Sequence, residues 1–401
     1  MENVFDLLKK RGFVYQTSNE TGLKELLGKP GATIYCGFDP SASSCHLGQL
    51  IILMAFRHLQ RSGHKIIFLL GGGTGKIGDP TGKDKSRKLL DLQTVEANKK
   101  ELAAQVEEIG LLKFSGPNAA VMLDNNDWLS KFKFLDEFLL DVARHFSVNE
   151  MVSMDTFKKR LNSQTNLSLL EFCYPVLQAW DFLYLFENHD CRVQIGGSDQ
   201  WANILAGTGL IRRKHRQEAF ALTFPLLTTP SGEKMGKTEK GPIWLDDQRT
   251  SPFEMYQYLI NVDDSLVTPM LKLLTFLPLE KIATIEKGSP QEAQQHLAFE
   301  VTKLVHGEEA AQKARTDSEK LFGKGEGRAE TIPIFETDPG LTIEEILVKS
   351  GSLPSKSEVR RRVEQNGITI DGKEVPNAKM LIIKSSTIKF GKTRFLKIQC
   401  K

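Results

Sequence analysis

The chain has 401 residues, 40% of them hydrophobic and 26% charged, with a formal net charge of +3. These are the fractions of a soluble globular protein long enough for two or three domains, and no apolar run approaches the roughly 20 residues that cross a bilayer. The near balance of charge hides a gradient: from Leu341 onward there are 13 Lys and Arg against 6 Asp and Glu, while the rest carries 40 against 44, so the C-terminal part is expected to meet a polyanion.

The first residues, Met1 to Arg11, lack a basic n-region followed by an apolar h-region and read as a short amphipathic helix, not a secretory signal. Up to about Leu245, short β-branched or aromatic runs alternate with helical patterns, as in a doubly wound, Rossmann-like parallel sheet. Strands are predicted over 32–36, 65–70, 119–123 and 191–195. Between the first two, Leu47, Leu50, Ile51, Met54 and Leu59 recur at helical spacing, with Ser43 or Ser44 as N-cap and Gly63 as terminator. Past Leu245 the pattern turns helical. Ser251-Pro252-Phe253-Glu254 and Ser289-Pro290-Gln291-Glu292 each combine a capping Ser, Pro at the first helical position and a Glu that closes a capping box. The glycines from Gly323 to Gly327, with Pro333 and Pro339, read as a linker. In the last sixty residues Thr342 with Glu345 and Ser355 with Glu358 open two helices, and Asp371-Gly372 turns a hairpin after Ile368-Thr369-Ile370. The division expected is 1–248 for the sheet domain, 249–323 for a small all-helical domain, 324–340 for the linker and 341–401 for a small α+β module.

Five cysteines, Cys36, Cys45, Cys173, Cys191 and Cys400, are odd in number and never form C-x-x-C, which argues against a disulfide framework and a structural zinc site and for a reducing cytoplasm. Gly73-Thr74-Gly75-Lys76-Ile77-Gly78 satisfies G-x-G-x-x-G after a strand. However, Asp79-Pro80-Thr81-Gly82 cannot carry the third glycine into a helix, so a nicotinamide-dependent oxidoreductase is set aside. The stronger signal is a pair of distant segments. Ser44-Cys45-His46-Leu47-Gly48-Gln49 puts an imidazole and a side-chain-free residue at a helix N-terminus, which favours an anion. Lys234-Met235-Gly236-Lys237-Thr238 puts two ammonium groups and a hydroxyl on a Gly-interrupted turn able to meet a polyphosphate.

These segments resemble the HIGH and KMSKS signatures of the class I aminoacyl-tRNA synthetases, with Gln49 in place of the second His. Their surroundings resemble the tyrosyl enzymes of bacterial type: Tyr35-Cys36-Gly37-Phe38-Asp39-Pro40, Gly78-Asp79-Pro80-Thr81-Gly82-Lys83, Phe172 to Asp181, and Gln194 to Trp201. The C-terminal order of elements, with Arg360-Arg361-Arg362 on its second helix, resembles a small RNA-binding module shared by those enzymes and a ribosomal protein. The resemblance implies activation of L-tyrosine by ATP and its transfer to tRNA(Tyr) by a homodimer, Mg2+ arriving with ATP and no metal being held by the protein. It implies that His46, Gln49, Lys234, Lys237 and Thr238 act on the phosphates. Tyr35 and Asp181 would hold the phenol, and Asp79, Tyr174, Gln178 and Gln200 the rest of the amino acid. Gly37, Asp39, Pro40, Ser41, Gly48, Gly197 and Asp199, with His46, Gln49, Lys234 and Lys237, would contact ATP. Arg360, Arg361, Arg362, Lys392 and Arg394 would meet RNA. The spacing of Tyr174, Gln178 and Asp181 at i, i+4 and i+7 puts them on one helix face. A tryptophanyl relative and a non-catalytic RNA-binding protein on the same scaffold are the competing readings. Tyr35 with Asp181 and the basic module argue against the first, and the intact ATP motifs against the second.

Overall fold

The structure is a computed structural model and describes residues 2–81, 90–229, 235, 237–238, 241–322, 334–337, 339–391 and 395–400. By its contacts the chain divides into two units, Met1–Thr250 with Asp263–Ala293, and Ser251–Val262 with Gln294–Lys401. The first is built on six strands: β1 (Gln16–Thr17), β2 (Thr33–Phe38), β3 (Lys65–Leu70), β4 (Val121–Asp124), β5 (Cys191–Gly197) and β6 (Phe220–Phe224), in the spatial order β1-β6-β5-β2-β3-β4. All pairs are parallel except β1 with β6. From β2 the chain proceeds outward through β3 and β4, then returns to the other flank of β2 as β5 and β6. The crevice between the carboxyl ends of β2 and β5 is therefore a topological switch point, where such sheets bind ligands.

Burial explains why these runs are strands: β3 is buried from Ile66 to Leu70 on both faces, as a sheet covered by helices requires. The predicted strand at 119–123 sits two residues later, and β5 runs on to Gly197. Helix Leu47–Arg61 follows β2, with Gly63 in the left-handed region at φ 86° just past its end. Helix Tyr174–His189 contributes Phe182, Leu183 and Leu185 to the core beneath β2 and β3, with Tyr35, Ile67, Leu69 and Trp128. Beyond the sheet, β7 (Lys237–Thr238) pairs antiparallel with β8 (Gly241–Pro242).

The stretch 263–293, read with the helical domain, belongs by its contacts to the first unit. Part of the reason is the buried Arg11, whose guanidinium donates to the carbonyls of Lys272, Thr275 and Leu277 and so satisfies the open end of helix Asp264–Leu274. In the second unit, helix Pro252–Ile260 starts with the Ser251–Glu254 capping box and packs on helix Glu308–Phe322, Gln257 donating to Ser318 at 2.8 Å. The Ser289–Glu292 pair forms the reciprocal bonds expected of its sequence.

The C-terminal module holds helices Ile343–Lys349 and Lys356–Glu364, capped by Thr342 and Ser355. Its strands are β9 (Ile334–Thr337), β10 (Leu341–Thr342), β11 (Ile368–Ile370), β12 (Lys373–Glu374), β13 (Leu381–Ile382), β14 (Ser386–Phe390) and β15 (Phe395–Cys400). Five form one sheet in the order β12-β11-β14-β15-β9, and β10 pairs with β13. Asp371 and Gly372 both have positive φ, 47° and 80°, as a two-residue hairpin turn demands. One expectation is corrected: within 324–340, read as linker, residues 334–337 form β9, parallel to β15. A four-residue edge strand flanked by Pro333 and Pro339 carries too little periodicity to stand out.

Candidate active site

A cavity of about 390 Å³ opens at the switch point. Its lining draws on β2 and β5, the turn after β3, helix Tyr174–His189 and the segment around His46. The sequence-predicted residues Tyr35, Gly37, Asp39, Ser41, His46, Gly48, Gln49, Asp79, Tyr174, Gln178, Asp181, Gly197, Asp199 and Gln200 all line it, and Pro40 lies between two of them without lining it.

At the deep end Asp181 is 3% exposed. Its Oδ2 accepts from Asn125 Nδ2 at 2.9 Å and its Oδ1 from Trp128 Nε1 at 2.8 Å. Burial pushes this carboxyl up to about 7 against the pull of those two donors, and Asp39 and Asp124 raise it further. Opposite, on β2, Tyr35 is 1% exposed, its ring packed on Phe182, and its hydroxyl has no hydrogen-bond partner among the described residues. Burial first, and then Asp181, hold that phenol well above its ordinary range. A buried donor without a partner beside a buried carboxylate is a site for a third polar atom.

From Asp181 a chain of hydrogen bonds crosses the cavity. Asn125 Nδ2 also donates to Thr74 Oγ1 at 2.9 Å, Thr74 donates to Asp39 Oδ1 at 2.7 Å, and Tyr174 donates to Asp39 Oδ2 at 2.7 Å. Gly71 is required here, because a Cβ on it would collide with the Asp39 carboxylate. Beside this chain Gln200 donates to Asp79 at 2.6 Å, Gln178 donates to Gln200 at 3.3 Å, and Asn203 donates to Gln178 at 3.1 Å. Two carboxylates, Asp39 and Asp79, thus stand among oriented amides and a phenol, a setting that suits an ammonium group. Asp39, expected among the ATP contacts, is tied directly to Tyr174. Asn125, Trp128, Thr74 and Asn203 escaped sequence reasoning. Asn125 and Trp128 lie just beyond the carboxyl end of β4, where a doubly wound sheet collects site residues.

At the other end His46 is itself the N-cap of helix Leu47–Arg61, which corrects the expectation of Ser43 or Ser44. Its Nδ1 accepts from Gly48 N–H at 3.1 Å, and Gln49 Oε1 accepts from His46 N–H at 3.0 Å, closing a capping box. With Nδ1 an acceptor, the neutral ring carries its proton on Nε2. Gly48 fits because a Cβ there would press on the imidazole at 3.1 Å. Gln49 therefore serves the helix start through its oxygen. The strand-like run after β8 is laid against this segment: Leu47 N–H donates to Ile243 O at 2.9 Å and Leu245 N–H to Cys45 O at 2.8 Å. Lys234 and Gly236 lie outside the described residues. Lys237 and Thr238 are described as backbone in β7, while Met235 and Pro242 line the cavity.

In the C-terminal module Arg360 binds Glu344 through two bonds, at 2.7 and 3.1 Å, Arg361 pairs with Glu358 at 2.8 Å and Arg362 with the same carboxylate at 2.8 Å. Lys392 and Arg394 lie outside the described residues. Among the described residues no group of three or more His, Cys, Asp or Glu is placed to hold a metal ion, and no helix is long and apolar enough to cross a membrane.

The model of the tRNA synthetases class I (W and Y) matches residues 29–323. The chain belongs to that family. It is 45% identical over 385 residues to a protein of Clostridium tetani named tyrosine–tRNA ligase, covering 95% of this chain and 93% of that one. A protein of the same name from Clostridium botulinum is 45% identical over 392 residues, covering 95% and 94%. Among solved structures, a C-terminally truncated mitochondrial tyrosyl-tRNA synthetase of Aspergillus nidulans superimposes with a TM-score of 0.71 at 31% identity, covering 80% of this chain and 95% of that one.

Proposed function

We propose that this class I synthetase joins L-tyrosine to tRNA(Tyr) in two steps. In the first, the tyrosine carboxylate attacks the α-phosphorus of ATP, delivered as its magnesium complex, forming tyrosyl-adenylate and releasing pyrophosphate. In the second, the terminal ribose hydroxyl of tRNA takes the tyrosyl group and AMP leaves. The observation that carries the choice of amino acid is the buried pair of Tyr35 hydroxyl and Asp181 carboxylate, one a donor lacking a partner among the described residues and the other an acceptor. A phenol satisfies both and a phenyl ring neither, which leaves buried polar groups unpaired and is costly.

The tyrosine ammonium sits by Asp79, Tyr174 and Gln178, with Asp39 bonded to Tyr174. Its carboxylate needs no general base, so rate comes from positioning and from charge stabilised at the phosphorus. His46 Nε2, Lys234, Lys237 and Thr238 meet the phosphates, Ser41 adds a donor, Asp199 holds the ribose and Gln200 the reacting centre. The sheet domain performs this chemistry, the helices between 249 and 323 face the anticodon side, and the basic module from 341 grips RNA. Five free cysteines, Cys36, Cys45 and Cys191 of them buried, suit a reducing cytoplasm. A homodimer is supported by an apolar face: Phe134 and Leu169 are 64% and 76% exposed, and a groove of about 410 Å³ lined by Phe132, Phe138 and Leu170 lies between them.

The direct test is charging of tRNA with labelled amino acids by the purified chain. Tyrosine should be attached and tryptophan rejected. Attachment of tryptophan would replace the reading with that of its relative.

A further inference from the structure

The histidine-bearing loop is gripped by a helix that carries none of the residues assigned to the reaction. Helix Leu92–Glu108 runs beside the loop from Pro40 to Cys45. Near the start of the loop, Asn98 Nδ2 donates to Pro40 O at 3.0 Å. Gln105 lies seven residues further, two turns along the same face, and reaches the loop's end with both atoms of its amide. Its Oε1 accepts from Cys45 N–H at 2.7 Å, and its Nε2 donates to Ser44 Oγ at 2.9 Å. Ser44 and Cys45 are buried, and the Ser44 hydroxyl in turn donates to Cys45 O at 2.7 Å. That same carbonyl accepts from Leu245 N–H on the opposite side. Cys45 N–H lies ahead of the helix and has no sheet partner among the described residues, so its bond to Gln105 is what satisfies this buried donor. The peptide that precedes His46 is thus clamped from both flanks, by Gln105 on one and by the run Ile243 to Leu245 on the other.

We propose that Gln105 is a positioning residue for the reaction: by fixing the Ser44–Cys45 peptide it sets where the His46 cap stands and where its Nε2 points. The inference rests on the reading of His46 as a phosphate-binding group. Losing the clamp leaves a buried N–H unsatisfied, and the loop relaxes to recover a bond. A shift of about 1 Å in a group aimed at a transition state lowers the rate by about a hundredfold.

The test uses Gln105→Met, which keeps the length and apolar body of the side chain and removes both bonds, and Gln105→Glu, which keeps the acceptor for Cys45 N–H. Tyrosine-dependent exchange of labelled pyrophosphate into ATP is measured in each, alone and combined with His46→Ala. Gln105→Met should lower kcat about ten- to hundredfold while the KM for tyrosine stays within about twofold, and Gln105→Glu should recover most of the loss. In the His46→Ala background Gln105→Met should cost less than about threefold more, because it acts through a group already gone. Parental kcat in Gln105→Met, or its full cost repeated on top of His46→Ala, would overturn the assignment. A parental rate for His46→Ala alone would remove the His46 reading and this inference with it. Should Gln105→Met not fold, Ser44→Ala, which deletes the Nε2 contact and the hydroxyl's own bond to Cys45 O but keeps the bond from Cys45 N–H to Gln105, carries the same double-variant comparison with a smaller expected loss.

Discussion

The Tyr35 hydroxyl, buried and without a partner among the described residues, costs the folded chain about 1–3 kcal/mol. Tyr35→Phe is therefore expected to hold or raise the thermal midpoint while lowering kcat/KM for tyrosine about three- to tenfold, as loss of a neutral hydrogen bond does. A lowered midpoint with unchanged tyrosine kinetics would contradict the role assigned to it. Asp181 predicts a pH dependence. Its carboxyl, raised to about 7 mainly by burial, is mostly protonated at pH 6 and mostly ionised at pH 8. The ionised form is the better acceptor for a phenol, so tyrosine affinity by calorimetry should rise about tenfold over that range while phenylalanine affinity stays flat. Equal slopes for both ligands would place the titrating group elsewhere. The cavity residues legible in the sequence were those on recognisable motifs, such as Tyr35, Tyr174, Gln178 and Asp181. Asn125 and Trp128 were not, because what makes them matter is a long-range contact with Asp181, 56 and 53 positions away.

At the scale of elements, strands and helices announced themselves where burial imposes a period, as in β3 and helix Leu47–Arg61, and capping boxes at Ser251, Ser289 and Thr342 appear where their spacing put them. The start of the His46 helix did not, because a histidine cap lies outside the usual Ser, Thr, Asp and Asn set. Gln49→Ala should cost about 1 kcal/mol of stability through the lost capping bond and also slow adenylate formation; a stability loss without any kinetic effect would separate the cap from catalysis. The same helix carries His58, buried among Phe13, Phe276, Arg11 and Arg61 and pushed down to about 4 chiefly by burial, with the two arginines adding to it. An unfolded histidine binds its proton near 6.5, so the unfolded state holds more protons between 6.5 and 4 and stability falls as pH falls through that window, by up to about 3 kcal/mol. The midpoint difference between the parent and His58→Leu, measured at pH 7.5 and 5, should move in favour of the variant at the lower pH. No such movement would contradict the burial of a neutral ring.

At the scale of the whole molecule, the basic tail was legible as charge, but the pairing of its arginines was not. Arg360 holds the buried Glu344 and is committed to the module's fold, whereas Arg361 makes a surface pair of small net value and can exchange its carboxylate for a phosphate. Arg361→Ala should weaken tRNA binding and lower its salt slope by about one, with folding unaffected, as read by filter binding over a salt series; an unchanged slope would move the RNA contact off this helix. Leu169→Asp, on the exposed apolar face, should convert the proposed dimer to monomers in sedimentation velocity, and an unchanged oligomeric state would contradict an interface on this face. Nothing in periodicity reveals such a face, since exposure is a property of the folded chain. What joins these scales is the proposal that one pocket selects a phenol and couples it to ATP. Exchange of labelled pyrophosphate into ATP, without tRNA, reads both properties in one assay: it should run with tyrosine and stay at background with phenylalanine and tryptophan, whereas exchange supported by phenylalanine as well as by tyrosine, or by none of the three, would contradict the roles given to Tyr35, Asp181 and the phosphate-binding segments.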